Sequence, residues 1–383
     1  MTEDRSKPAP AATPWRRIVH LALLSTLTMA VIVLWDVNRT GANPANLLQG
    51  GTLGPSAALV QHDFPDVELP HGLGLDGQQY YAMARSPIHL DVAAASLDRP
   101  AYRWQRPLFA WLARAVHPQG GGGAGLVIAF FAVGVSALLL GGIGAGALST
   151  ALGGRSWPAA VFPLLPGAYM SLRVTVSDAL ALALTLVALA LAAHRRAGFA
   201  LAVACLAAIT RETAVIVFVG WAIARRTRSD TLLAAIPITF AGAWALWLRI
   251  TLSASHHEKV DELGAPFSGL IGAVRDHWLT GTNHLGMLST LSAFVLATVA
   301  LRRTRRSHSL WPALVCSIAF VSLMNHNVVG IDFGATRSTM PLCMLAILCL
   351  ATSQARVEKS APAAQRFTGI TGPGAISGAL ASR

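Results

Sequence analysis

Charge is scarce in this sequence. Only 13% of its 383 residues are Asp, Glu, Lys or Arg, about half of what a water-soluble domain carries. Acidic residues number 18, too few for an ordinary soluble enzyme, and the chain is too apolar to be disordered. There are four cysteines, Cys205, Cys316, Cys343 and Cys349. All lie inside apolar stretches and read as small buried hydrophobes rather than as disulfide or metal partners. The chain lacks a Walker loop, a nucleophile elbow, a dinucleotide fingerprint and an internal repeat.

Apolar residues are abundant instead: 54% of the chain, with a mean hydropathy of +0.52. The net charge of +12 comes from short basic runs between apolar segments: Arg16-Arg17, Arg195-Arg196, the run from Arg225 to Arg228 and the run from Arg302 to Arg306. None is interleaved with stacking aromatics, as a nucleic-acid groove requires. They read as topology signals of a multi-span membrane protein.

A spanning helix needs roughly 20 apolar residues. Segments of this kind lie at 18–35, 125–147, 174–193, 232–250, 285–301, 310–324 and 339–351. A further one, 157–172, is interrupted by Pro158, Pro163 and Pro166 and predicts a broken helix. Two short segments, 199–209 and 214–224, flank Arg211-Glu212. With the N-terminus inside, alternate crossings place 18 Lys+Arg against 4 Asp+Glu on the inner side and 12 against 14 on the outer side. That is the asymmetry of the positive-inside rule. It requires 199–224 to be a hairpin, since the basic runs at both of its ends share a side. The expected fold class is an all-α polytopic membrane protein of about ten transmembrane helices, with both termini cytoplasmic and a large first outer loop at 36–123. Residues 15–352 form one membrane domain. The Ala/Pro/Gly/Ser-rich ends at 1–14 and 353–383 read as disordered tails.

Candidate chemistry concentrates in the outer loop. Asp76-Gly77-Gln78-Gln79-Tyr80-Tyr81 opens a short helix. Asp76 is placed to cap it, with Gln79 closing a capping box. Gln78, Tyr80, Tyr81 and Arg85 form a polar and aromatic set suited to sugars and phosphates. Downstream, Pro107 starts a helix whose Leu108, Trp111, Leu112 and Ala115 make an apolar stripe for the membrane interface. Arg103 and Arg106 sit at its start, where guanidinium forks and backbone N–H groups favour a phosphate. Phe267, Leu270, Ile271, Val274 and Trp278 make a second interfacial stripe. Asp178, Arg211 and Glu212 are intramembrane ionisable residues on the same side as Asp76, and such residues are functional candidates by default. An Asp178–Arg211 pair that only staples two spans is the plainer alternative. Glu212, about 100° around from Arg211 on a helix, needs a partner of its own. His256-His257-Glu258 and Asp261 lack metal-ligand spacing on one helix face, and Asn325, His326, Asn327, Asp332 and Arg337 line a short outer loop, a solvated turn with contact to substrate as the alternative.

Asp76-Gly77-Gln78-x-Tyr80-Tyr81-x-x-Ala84, then Tyr102-Arg103-x-Gln105-Arg106, Val176-Ser177-Asp178-Ala179-Leu180 and Thr210-Arg211-Glu212-Thr213-Ala214, resemble a bacterial family of integral-membrane glycosyltransferases of the GT-C superfamily. The resemblance covers roughly 73–112 and 174–214. One departure is Arg85-Ser86-Pro87, where similar sequences carry Asp-Pro. The resemblance implies a cell-envelope enzyme of the cytoplasmic (inner) membrane. It would move a sugar from a polyprenyl-phosphate donor to a hydroxyl of a glycan, lipid or protein acceptor. Asp76 would be the catalytic base, with Gln78, Tyr80, Tyr81, Arg103, Arg106, Asp178, Arg211 and Glu212 binding substrate. This reading requires no cofactor and admits a divalent metal. Its rivals are a lipid-linked-sugar transporter or flippase, for which matched inverted halves are expected, and a noncatalytic envelope-assembly protein.

Overall fold

The computed structural model describes residues 14–252, 263–281, 283–304, 306 and 308–360. Among them are eighteen α-helices and no β-strand. Helix α1 (Pro14–Arg39) leads into the first loop, which carries α2 (Ala57–Asp63), α3 (Asp76–Arg85), α4 (Leu90–Ala94), α5 (Pro100–Arg103) and α6 (Leu108–Val116). The long α7 (Ala124–Ala151) is followed by α8 (Pro158–Leu164) and α9 (Pro166–Arg173). The break between them falls at Leu165, extended at φ −64° and ψ 142°, because Pro166 disfavours helical backbone in the residue before it. Next come α10 (Asp178–Ala193), α11 (Ala197–Thr210), α12 (Ala214–Arg225), α13 (Arg228–Thr251) and the short α14 (Ser268–Ala273). The chain continues through α15 (His284–Arg303), α16 (Trp311–Ser322), α17 (His326–Val329) and α18 (Asp332–Ser360).

Five helices, α1, α7, α13, α15 and α18, are long and apolar enough to cross a membrane. Four more, α10, α11, α12 and α16, are apolar but have only 12 to 16 residues. At 1.5 Å per residue they rise roughly 18–24 Å, short of a ~30 Å hydrocarbon core. Every apolar segment read from the sequence is thus helical, and the proline-interrupted one is two helices. A count of ten crossings, however, is not carried by helix length.

Packing uses small residues, as expected where water supplies no driving force between helices. A Cβ at Gly142 would lie 2.9 Å from that of Ala22, and one at Gly146 the same distance from Ile18, so α7 and α1 approach closely. Helix α10 is buried along most of its length against α7 and α11, and α18 packs on α15. Helices α1 and α13 leave most of their apolar surface uncovered. In α6, Phe109, Ala110 and Ala113 are buried, while Leu112, Ala115 and Val116 are exposed. The expected Leu108/Trp111/Leu112/Ala115 stripe is therefore the outward side of that helix.

The helices bring the ionisable residues to one end. Asp36 near the end of α1 pairs with Arg173 of α9. Helix α10 begins at Asp178, and α11 runs back along it to deliver Arg211 to the same place. Arg195-Arg196 and Arg225-Arg226 follow the far ends of α10 and α12, and Arg17 meets Arg155 at a shared cavity.

Two expectations need adjustment. Residues 353–360, read as the start of a disordered tail, continue α18; Gln354, Ala355, Arg356, Glu358 and Lys359 are good helix formers. The rest of both tails, 1–13 and 361–383, and His256-His257-Glu258 with Asp261 lie outside the described residues. Arg337 is not in a solvated turn but in the second turn of α18, 9% exposed.

Candidate functional site

Asp76 is the first residue of α3, and the cap is Leu75, extended at φ −114° and ψ 179°. The capping box is therefore absent: no side chain caps this helix, and the Asp76 carboxylate faces arginines instead. Arg103 Nη1 donates to Asp76 Oδ1 at 2.8 Å, and Arg337 Nη1 donates to Asp76 Oδ2 at 3.1 Å. The same Arg337 nitrogen donates to Asp178 Oδ2 at 3.0 Å. Arg211 closes the chain by donating to Asp178 Oδ1. Two carboxylates that the sequence separates by a hundred residues thus share one guanidinium.

The Asp-Gly-Gln-x-Tyr pattern is what holds Asp76 there. A Cβ at Gly77 would lie 2.3 Å from the Val174 carbonyl oxygen and 2.7 Å from that of Leu48, so only glycine lets α3 start against this backbone. Gln78, 1% exposed, donates through Nε2 to the Leu73 carbonyl at 2.5 Å and accepts from the Gly51 amide at 3.3 Å. Tyr80 shares a 2.6 Å hydrogen bond with Ser177 Oγ, one residue before Asp178. Tyr81 donates to Asp63 Oδ2 at 2.5 Å and accepts from the Gly123 amide, and Arg85 pairs with the same Asp63. Gln78, Tyr80 and Tyr81 were expected to contact substrate. They are instead buried, spend their polar atoms on the protein and position α3.

The two arginines of the second motif also part company. Arg103 ends α5 rather than opening the helix at Pro107. It is gripped from behind by Asp98, with Nε to Oδ1 at 2.8 Å and Nη2 to Oδ2 at 2.7 Å, and presents Nη1 to Asp76. Arg106, 5% exposed, makes a two-pronged pair with Glu212, Nε to Oε2 at 2.8 Å and Nη2 to Oε1. Its Nη2 also donates to the Tyr102 hydroxyl at 2.7 Å. Glu212 thereby has a partner of its own, although it sits in the turn between α11 and α12 rather than on a helix.

A cavity of about 240 Å³ opens over this cluster. Arg99, Arg103, Arg106, Arg211 and Arg337 line it, and Asp76 is its one carboxylate among the described residues. The guanidiniums of Arg99 and Arg106 each lie 4.4 Å from the Tyr102 ring centre. An apolar groove between α10, α12, α16 and α18 shares Arg211, Arg337 and Ser338 with the cavity and has Asp178 in its wall. The arginine-lined cavity thus borders a small apolar groove of about 40 Å³.

Burial drives the Asp76 carboxyl upward, but the guanidiniums of Arg103 and Arg337 outweigh it and hold the group well below the usual carboxylate range. Burial likewise opposes the charge on Arg103, and Asp76 and Asp98 more than restore it. Asp76 is therefore ionised, with one guanidinium on each carboxylate oxygen. Among the described residues no group of three or more His, Cys, Asp or Glu side chains is arranged to hold a metal ion.

Asp98, Ser177 and Asp63 enter the site as partners that the sequence does not single out, and Arg337, read there only as a residue of an outer turn, enters as its central cation. A cation lowers local hydropathy and ends the apolar segment at Thr339; one more helical turn includes Arg337. No family model, curated protein or solved structure matches this chain.

Proposed function

We propose that this chain is a membrane glycosyltransferase of the GT-C type, crossing the cytoplasmic membrane about ten times. It transfers a sugar from a polyprenyl-phosphate donor to an acceptor hydroxyl at the outer face. The observation that carries the reading is the arginine-lined cavity that shares Arg211, Arg337 and Ser338 with a neighbouring apolar groove, an arrangement suited to a ligand with an anionic head and a hydrocarbon tail. Charge supports it. Five cavity arginines face Asp76 and, behind the walls, Asp98, Asp178 and Glu212. Among the described residues the cavity wall itself carries five guanidiniums and one carboxylate, a surround that favours an anionic headgroup.

In this reading the donor phosphate seats on Arg103 and Arg337 and takes over their hydrogen bonds to Asp76. The released carboxylate, no longer held by two cations, becomes a stronger base. It accepts the proton of the acceptor hydroxyl as that oxygen bonds to the anomeric carbon. The anomeric carbon–oxygen bond to phosphate breaks, and its electron pair stays on the phosphate, stabilised by the guanidiniums. Donor binding and base activation are then a single event. Incubating the purified chain with a panel of polyprenyl-phosphate sugars and an acceptor mixture tests this. Free polyprenyl phosphate and a glycosylated product are expected. Movement of intact donor across a proteoliposome membrane, with no phosphate released, would overturn it in favour of a flippase.

A further inference from the structure

At the opposite end of the bundle, a cavity of about 460 Å³ is lined by Arg17 of α1 and by Arg155, Ser156 and Trp157 of the turn between α7 and α8. The two arginines are far apart in sequence, and each is carried by a rigid element. Helix α1 is locked against α7 and α8 through Ile18, Ala22 and Ala159, all fully or nearly fully buried. The turn is fixed by Ser149 Oγ donating to the Arg155 carbonyl at 2.6 Å and by the Gly154 amide donating to the Ser149 carbonyl at 2.8 Å. Arg17 pairs with no carboxylate among the described residues. Below the arginines, the uncovered apolar side of α1 continues with Leu24, Leu27 and Val31 exposed, and Trp15 is 55% exposed at its start. Indole rings at a helix end mark the membrane–water boundary.

Two guanidiniums and a tryptophan around a roomy cavity, with a lipid-facing helix beneath, make a receptor for a phosphate that has acyl chains attached. We infer that this cavity holds the headgroup of an anionic phospholipid, with the acyl chains lying along α1. Basic pockets between spans recognise such headgroups, and Arg presents a fork suited to phosphate oxygens. The site is separate from the Asp76 cavity and does not depend on the function proposed for it.

The test is native mass spectrometry of the full chain released from nanodiscs of mixed phosphatidylglycerol and phosphatidylcholine. The intact chain is expected to retain one phosphatidylglycerol. Each cation near an anionic lipid contributes about fivefold. The double variant Arg17→Gln with Arg155→Gln should therefore lose about thirtyfold in preference for phosphatidylglycerol, at an unchanged melting temperature in phosphatidylcholine. Arg17→Lys with Arg155→Lys should keep most of the preference. Equal retention by the Gln pair would overturn the assignment, as would displacement of the lipid by millimolar inorganic phosphate, which would make the cavity a soluble-anion site. Loss of the preference in the Lys pair as large as in the Gln pair would also overturn it, by pointing to packing rather than charge.

Discussion

Arg337 donates to Asp76 at 3.1 Å across 261 residues of sequence and, through the same nitrogen, to Asp178. This single guanidinium binds the first loop to the helical bundle. It also places a positive charge between two carboxylates that would otherwise repel. A buried charge is tolerated only when paired, so the three residues form a unit in which no member is dispensable for geometry. Yet only Asp76 opens onto the arginine-lined cavity as a carboxylate.

Asp76→Asn separates structure from chemistry. Asparagine keeps one oxygen that accepts from Arg103 or Arg337 while its NH2 turns to the other, and α3 loses no cap because Leu75 occupies that position. The variant is expected to fold and insert while transfer falls by about 10²–10⁴-fold, the usual worth of general-base catalysis. Product formation by the purified variant is the measurement. Full activity would move the search to Asp178 and Glu212.

Arg103 and Arg106 should behave differently. Arg103→Ala should raise the donor concentration required about ten- to hundredfold, since a charged hydrogen bond contributes about 1.5–3 kcal/mol. Arg106→Ala leaves Glu212 without its two-pronged partner. Because Glu212 keeps contact with solvent, the loss should be about 2 kcal/mol of stability, seen as a lower melting temperature. Equal donor affinities in wild type and Arg103→Ala would reduce Arg103 to a clamp for Asp98 and Asp76.

The pH dependence follows from the depressed Asp76 carboxyl. A group whose pKa is lowered on folding stabilises above its unfolded value, and that stability is lost as pH falls through the folded value. The Asp76 pairs should therefore persist at mildly acid pH and fail only below the ordinary aspartate range, ~3.9. Removing a cation by Arg103→Gln favours the neutral carboxyl and raises its pKa. The acid limb of kcat/KM, which reports the free enzyme, should then move to higher pH. A limb that stays put, or moves down, would contradict the ion-pair account.

Gly77→Ala should displace α3. The added Cβ would meet the Val174 carbonyl oxygen at 2.3 Å, and that atom is backbone and cannot swing aside. Overpacking of this kind costs about 1–3 kcal/mol. Thermal unfolding and transfer should both suffer, with the activity loss exceeding what the stability change explains.

Orientation is testable by cysteine labelling in a cysteine-free background. Glu68 and Ser229 are both exposed, the first in the outer loop and the second beside the Arg225 run. An impermeant reagent on intact cells should modify Glu68→Cys and spare Ser229→Cys. The reverse pattern would invert the topology and remove the case for an outer site.

The sequence by itself determined the helices. Hydropathy, proline positions and basic runs are local properties, so the segments at 18–35 and 125–147 became α1 and α7, and the Pro158/Pro163/Pro166 segment broke at Leu165. It also pointed to Asp76, Arg103, Asp178 and Arg211 as members of one cluster, because hydropathy and basic runs put them in loops and helix ends expected on one side. Only the tertiary structure decided who pairs with whom. Arg106 and Glu212 lie 106 residues apart, and nothing local distinguishes a clamped arginine from one facing a cavity. Gln78, Tyr80 and Tyr81 looked like substrate ligands because polar and aromatic residues serve both purposes. Their burial against Leu73, Ser177 and Asp63 assigns them to holding the helix that presents Asp76. Arg337 joined the site for the same reason: ion pairing depends on how α18 packs against the outer loop, a relation that no window of sequence contains.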